Sequence, residues 1–211
     1  MKKISILFVC SLLIAGCSVF GNRSGYEQPG YKVVESLGES TEIRAYEPRV
    51  AAEARVENED LDEGRDAAFR LLFDYITGSN RTAAKIAMTV PVESTGTSEK
   101  IAMTAPVESS RTGDNRVYMR FFLPARFDRE TAPRPLDPRI TIVDVPVQTV
   151  AVLRFSGFGG EDTVAEKKRE LLRSLATTSW KPLSDSVVYS YDPPWTLPFF
   201  RRNEVVVAVG R

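Results

Sequence analysis

The sequence predicts an α+β fold with a mostly antiparallel sheet. Two stretches, Leu61 to Thr77 and Glu161 to Thr177, carry apolar residues at helical spacing. Around them lie short runs with the two-residue alternation of strands. The order strand, strand, helix, strand, strand occurs twice, so strands come in runs instead of alternating singly with helices.

The chain opens differently. Lys2 and Lys3 precede an apolar run, Ile4 to Ile14, which is too short for an ordinary membrane span and suits the core of a signal peptide. The run closes on Leu13-Ile14-Ala15-Gly16-Cys17, which resembles a bacterial lipobox, with cleavage before a cysteine that is then lipidated. Residues 1–16 are therefore expected to be a lipoprotein signal peptide, and 17–30 the lipidated Cys17 and a flexible tether to a domain over 31–211. Two or more acyl chains suffice for stable anchoring. Cys10 leaves with the signal and Cys17 is acylated, so thiol catalysis, disulfides and thiolate metal sites drop out. Ser18 stands where an aspartate would favour inner-membrane retention, so in a two-membrane envelope the expected home is the outer membrane, facing the periplasm. Gly21, Gly25, Pro29 and Gly30 give the tether its flexible composition, with a reach on the order of 20 Å.

Within the domain, Val33-Val34, Ile43 to Tyr46 and Val50 to Val56 read as strands, separated by a turn at Gly38-Glu39-Ser40 and by Pro48. The first helix follows. Asp60, Asp62 and Glu63 suit its positive N-terminal end, and Gly78 suits its stop. Val117 to Leu123 is a further strand, and Ala125 to Pro138, with three prolines, reads as a loop. The second half repeats the order: strands at Ile140 to Val145 and Thr149 to Phe155, the Gly157-Phe158-Gly159-Gly160 turn, the second helix, and strands at Val187 to Tyr191 and Asn203 to Val209. Gly157 to Gly160 lacks the lysine and the spacing of a phosphate loop.

One stretch is written twice. Lys85 to Ser94 and Lys100 to Ser109 agree at nine of ten positions. A solenoid needs three or more units, so the pair is a local feature of a globular domain. Ile86, Met88 and Val90 alternate with Ala87 and Thr89, as do Ile101, Met103 and Ala105 with their neighbours. Each copy is expected to be an edge strand, or a strand that breaks at Pro91 or Pro106. Met88 and Met103 read either as core filler or as the lining of a pocket for a large flat apolar ligand. A methionine sulfur is also a possible haem-iron ligand.

Composition narrows the chemistry. The 211 residues are 43% hydrophobic and 27% charged, as in globular proteins, with 28 basic and 28 acidic side chains. No basic excess points to nucleic acid. Histidine is absent, which removes the Ser-His-Asp triad, Cys-His nucleophiles, histidine zinc sites and histidine-ligated haem. Glu93, Glu108 and Asp114 have no spacing that forces them together as an acid–base pair.

Tyr46 within E-I-R-A-Y-E-P, the K-I-A-M-T-A-P-V stretch, R-P-L-D-P-R-I, the F-S-G-F before the second helix, and Tyr191-Asp192-Pro193-Pro194 running to Arg202-Asn203-Glu204-Val205 resemble the SOUL haem-binding protein family over about Tyr31 to Val209. The resemblance implies a distorted antiparallel β-barrel built from two similar β-β-α-β-β halves, with two helices packed outside, similar to effector-binding domains of the gyrase-inhibitor type. It implies binding of haem or a related tetrapyrrole in an apolar groove beside the first helix. Carried loosely onto this chain, the ligand-binding candidates are Arg65, Phe69, Leu72, Phe73, Met88, Met103 and Tyr46. One branch ligates iron through a histidine in the E-I-R-x-Y segment; that position is Ala45 here, so that ligation does not carry over. Met88, Met103, Tyr46 and Tyr75 remain as axial candidates, and no metal site is recognisable otherwise. Two further readings stand beside the anchored tetrapyrrole carrier: a structural or interaction lipoprotein of the envelope, with an aromatic surface around Trp195, Phe199 and Phe200, and a small hydrolase using Tyr118, Tyr189, Tyr191 and Glu204.

Overall fold

The computed structural model describes residues 19–58, 60–82, 97–111 and 116–211. Cys17, Met88, Glu93, Asp114 and the first copy of the doubled stretch lie outside the described residues. The elements are β1 (Tyr31–Ser36), β2 (Thr41–Tyr46), β3 (Arg49–Glu57), α1 (Leu61–Thr77), β4 (Asn80–Arg81), β5 (Val107–Arg111), β6 (Arg116–Phe122), β7 (Arg134–Pro135) and β8 (Ile140–Val145). Then come β9 (Gln148–Phe155), α2 (Glu161–Ala176), β10 (Lys181–Pro182), β11 (Val187–Ser190), a short 3-10 turn (Pro198–Phe200) and β12 (Asn203–Gly210). The predicted α+β class, antiparallel pairing and two helices are all present.

The described residues form two compact units, one within Glu27–Lys32 and Ala45–Gln148, the other within Met1–Tyr26, Val33–Arg44 and Thr149–Arg211. In the first, antiparallel strands run in the order β5-β6-β3-β8. Ala52 and Ala54 of β3 stand opposite Phe121 and Met119 of β6 and belong to the core under α1. Their small side chains leave room for the helix, which buries Gly64, Ala68, Leu72, Tyr75 and Ile76. Gly64 is the point of closest approach, because a Cβ there would stand 2.8 Å from Val117 Cγ2. Asp60 caps the helix, its Oδ1 accepting from the N–H of Asp62 at 2.9 Å and of Glu63 at 3.0 Å. Gly78 ends it at φ 137°, a conformation glycine tolerates and other residues resist.

The second unit repeats the plan with other residues. β12 lies between β9 and β11, with Val205 opposite Leu153 and Val207 opposite Ala151, and β10 also pairs with β12. α2 buries Val164, Leu171 and Leu175 on a core that includes Ile43, Leu153, Trp180 and Val205. Each helix thus covers the apolar face of the strands in its own unit.

The strand expected over Ile101 to Ala105 is not formed as such. Thr104 makes an isolated parallel bridge with Glu27, and the ladder begins only beyond Pro106, at Val107. The backbone donors go elsewhere, Ile101 N–H to Ile76 O at 2.8 Å and Ala105 N–H to Glu27 O at 3.0 Å. Burial follows the alternation only in part: Ile101 and Ala105 are buried and Ala102 is exposed, but Thr104, in the alternate set, is buried too. The alternation carries no information about which backbone partner satisfies the segment. The expected loop from Ala125 to Pro138 holds one short strand, β7, paired with β4.

Where a flexible tether was expected, the residues from Val19 onward are held down. Leu197 N–H donates to Val19 O at 3.1 Å, and Arg23 donates to Asp192 Oδ2 from both Nε (3.0 Å) and Nη2 (2.7 Å). Further on, Glu27 accepts at its side chain from Ala125 N–H at 2.7 Å.

Candidate functional site

Phe69 and Phe73 are one turn apart on α1, a spacing that puts them on one face. Their rings stack with centroids 6.0 Å apart and planes 15° from parallel. Phe69 is braced from the sheet by Phe121 of β6, an edge contact at 5.4 Å. Phe73 is 44% exposed. Arg65, one turn before Phe69, is half-buried, with Nη1 3.8 Å from Asp62 Oδ1. Leu72 has no exposed surface and lies in the core beneath this face. The helix therefore presents two stacked, nearly parallel rings with a guanidinium one turn away, fixed by packing from below.

The other sequence-derived candidates fall in different places. Met103 is partly buried and packs on the core that also receives Phe69. Tyr46 lies on the opposite face of the sheet from α1. Phe121 and Phe122 are neighbours on β6 and must point to opposite sides. Phe121 meets Phe69, whereas Phe122 lies 4.3 Å from the guanidinium carbon of Arg49, which is also 4.4 Å from the Tyr46 ring. Tyr31 covers Tyr46 at 5.2 Å. Tyr75 is fully buried, and its hydroxyl donates to Pro133 O at 2.8 Å. Burial, and secondarily the charge of Glu99, push its phenol far above the ordinary tyrosine value, which opposes the phenolate that iron ligation needs.

On the Phe122 side lies a cleft of about 110 Å³ lined by Glu27, Gln28, Glu47, Arg49, Thr104 and Phe122 among others. Pockets for drug-sized ligands run to roughly 300 Å³ or more. The cleft is too small for a tetrapyrrole, and its lining includes carboxylates and a guanidinium.

The tyrosine and glutamate pair considered for hydrolysis does exist. Glu204 has no exposed surface, and its Oε2 accepts from Tyr191 Oη at 2.8 Å. The same carboxylate accepts from Arg44 Nη1 at 3.0 and 3.1 Å and from Arg202 Nε and Nη2 at 2.9 and 2.7 Å. Arg44 Nε binds Glu42 at 2.7 Å as well. With five hydrogen bonds from four donor atoms on its two oxygens, the carboxylate is saturated by the protein's own side chains. It is a structural knot joining β2 to β12.

The other unit has a related arrangement. Arg120 of β6 sits between Glu53 of β3 and Glu108 of β5, at 2.6 and 2.8 Å. Tyr118 stands beside it, its ring 5.1 Å from the Arg120 guanidinium carbon. Burial, then the charge of Glu108, push the Tyr118 phenol up to about 12. Glu53 and Arg120 were not picked out from the sequence, and Arg44 and Arg202 entered only through the motifs of the resemblance. Their signal was a charged residue set inside an otherwise apolar strand, as in V-A-A-E-A and N-E-V-V-V.

Comparison with known proteins gives a consistent picture. A family model described as SOUL heme-binding protein matches residues 26–208. Heme-binding protein 2 of Homo sapiens is 33% identical over 189 residues, covering 85% of this chain and 84% of that protein. Heme-binding protein 1 of Bos taurus is 29% identical over 166 residues, covering 78% and 80%. Among solved structures, the EcmrR C-terminal domain aligns with a TM-score of 0.57 at 8% identity, covering 86% of this chain and 98% of that one. A hydrolase from Listeria innocua aligns at 0.52 and 9% identity, covering 84% and 94%. At such identities these two likenesses are of fold alone.

Proposed function

The chain belongs to the SOUL heme-binding protein family, and from that membership we propose that it binds haem or a related tetrapyrrole on the outer face of α1, held at a membrane by a lipid on Cys17. The stacked pair Phe69 and Phe73, of which Phe73 is half open to solvent, one turn from Arg65, is the observation that carries the reading. A flat ring system gains by offset stacking on such rings. Arg65 can pair with a carboxylate at the ring's edge. Leu72 acts from below, by fixing the helix.

The residues of this face suit the ring. The sequence has no histidine to ligate iron. Tyr75 is committed to Pro133. Iron, where present, supplies redox and ligand-binding chemistry; the residues of this face supply stacking and charge.

The lipid anchor rests on the Leu13 to Cys17 motif, and Ser18 favours the outer membrane with the domain facing the periplasm. Mass spectrometry of the membrane-extracted protein tests it, since lipidation adds a diacylglyceryl and an acyl group to an N-terminal Cys17.

The ligand is tested by titrating haem and iron-free protoporphyrin into the protein and following the Soret band and intrinsic fluorescence. Both should saturate with similar affinity, because the ring carries the binding. Saturation for haem alone would mean iron ligation, and Met103→Leu would then shift the spectrum. A dissociation constant weaker than about 10 μM, typical of nonspecific adsorption to protein, would overturn the assignment.

A further inference from the structure

Resting on the reading that Cys17 carries the lipid, we propose that an aromatic surface next to the anchor seats the domain directly on the bilayer, so that it does not hang free on a linker. The surface comprises Phe20, Phe158, Trp195, Leu197, Phe199 and Phe200, exposed by 62, 66, 63, 37, 65 and 41%. They form one neighbourhood. Phe20 packs edge-on against Phe200 at 5.7 Å, and Phe199 lies 4.6 Å from Phe200. Gly157 N–H donates to Pro198 O at 2.8 Å, which ties the Phe158 turn to the same loop. Exposed rings of this size gathered in one place mark an interaction surface, because scattered apolar side chains are the ordinary state of a protein surface and contiguous ones are not.

The chain itself identifies the occupant. Leu197 N–H holds Val19 O at 3.1 Å, so the backbone is fixed to the aromatic loop two residues after Cys17. Two residues span at most about 7 Å. The backbone of Cys17 therefore lies within that distance of Val19, so its acyl chains enter the lipid near the edge of the patch. Gly21 makes the close path possible: at φ 70°, a Cβ there would meet Phe200 O at 2.7 Å. Arg23 closes it by donating to Phe200 O at 2.7 Å and to Asp192. Arg201 lies at the rim, its guanidinium carbon 5.2 Å from the Phe158 ring and its Nε bonded to Thr196 O at 2.8 Å. Tryptophan and phenylalanine flanked by arginine are the composition of interfacial anchors, where rings enter the headgroup level and cations meet phosphate.

The test uses the full lipidated protein in phosphatidylethanolamine and phosphatidylglycerol vesicles, with and without bromine on the acyl chains. The chain has two tryptophans; Trp180 is buried and Trp195 is exposed. The emission lost on replacing Trp195→Phe, at an exposed position, gives the Trp195 share. That share should fall about twofold or more in brominated vesicles, and Phe199→Asp should restore it. Protein that floats with vesicles while its Trp195 emission ignores the bromine overturns the seat and keeps the anchor, leaving the patch to a protein partner. Protein from cell membranes that carries no lipid on Cys17 and does not float overturns both.

Discussion

Phe73 stacks on Phe69 one helical turn away, and Phe69 in turn leans on Phe121 of the sheet beneath. The outer ring is thus aimed by two inner ones, although it is itself half open to solvent. Phe73→Ala should weaken tetrapyrrole binding about tenfold, or about 1.4 kcal/mol. It should barely move the unfolding midpoint, since the ring adds little to the core. Equal affinity in the variant, measured by fluorescence quenching, would place the ligand elsewhere.

The Glu204 carboxylate sits between Arg44 and Arg202, and Glu42 binds Arg44 at the edge of the knot. Glu204→Gln leaves two guanidiniums facing a neutral amide in a buried site. Breaking one member of such a set costs about 3–5 kcal/mol. Urea unfolding should show that loss, and adding Arg44→Met should return part of it. A variant as stable as the parent would mean that water compensates the charges.

Gly64→Ala sets two effects against each other. Alanine improves an exposed helix position by roughly 1 kcal/mol, but here the methyl would stand 2.8 Å from Val117 Cγ2. Overpacking of that kind costs about 1–3 kcal/mol. The variant should melt lower than the parent. Pairing it with Val117→Ala should bring the melting temperature up again, because the clash is with that methyl.

Tyr118 makes alkaline pH destabilising. Its phenol is held up to about 12 in the folded protein, against an ordinary value of 10.0. The folded state keeps a proton that the unfolded state releases, so this contribution is complete below pH 10 and is lost as pH rises toward 12. Tyr118→Phe should flatten the fall in stability across that window, followed by denaturation at a series of pH values. An unchanged slope would assign the alkaline loss to other groups.

Some of this was plain in the sequence because several local signals coincided. Helix α1 was readable from Leu61 to Thr77 since its apolar period, its Asp60 cap and its Gly78 stop agree. The doubled plan was readable for the same reason, as each helix follows a pair of alternating strands. The Arg44–Glu204 contact was not, because its partners are 160 positions apart and nothing local pairs them. The stretch from Ile101 to Ala105 misled because a buried face and a strand ladder share the same two-residue alternation. Arg65, Phe69, Leu72, Phe73 and Tyr46 were grouped by resemblance; helical spacing brings Phe69 and Phe73 together, whereas Leu72 is buried beneath them and Tyr46 lies across the sheet.

Arg49 packs its flat guanidinium against both Tyr46 and Phe122. In shape and in chemistry that is what a small planar cation would do if it entered an aromatic slot from solution. The protein has plugged the slot with a tethered guanidinium of its own. A tetrapyrrole arriving at this side of the sheet would have to evict a tethered occupant held by two rings, so the open aromatic face of the helix offers the cheaper berth.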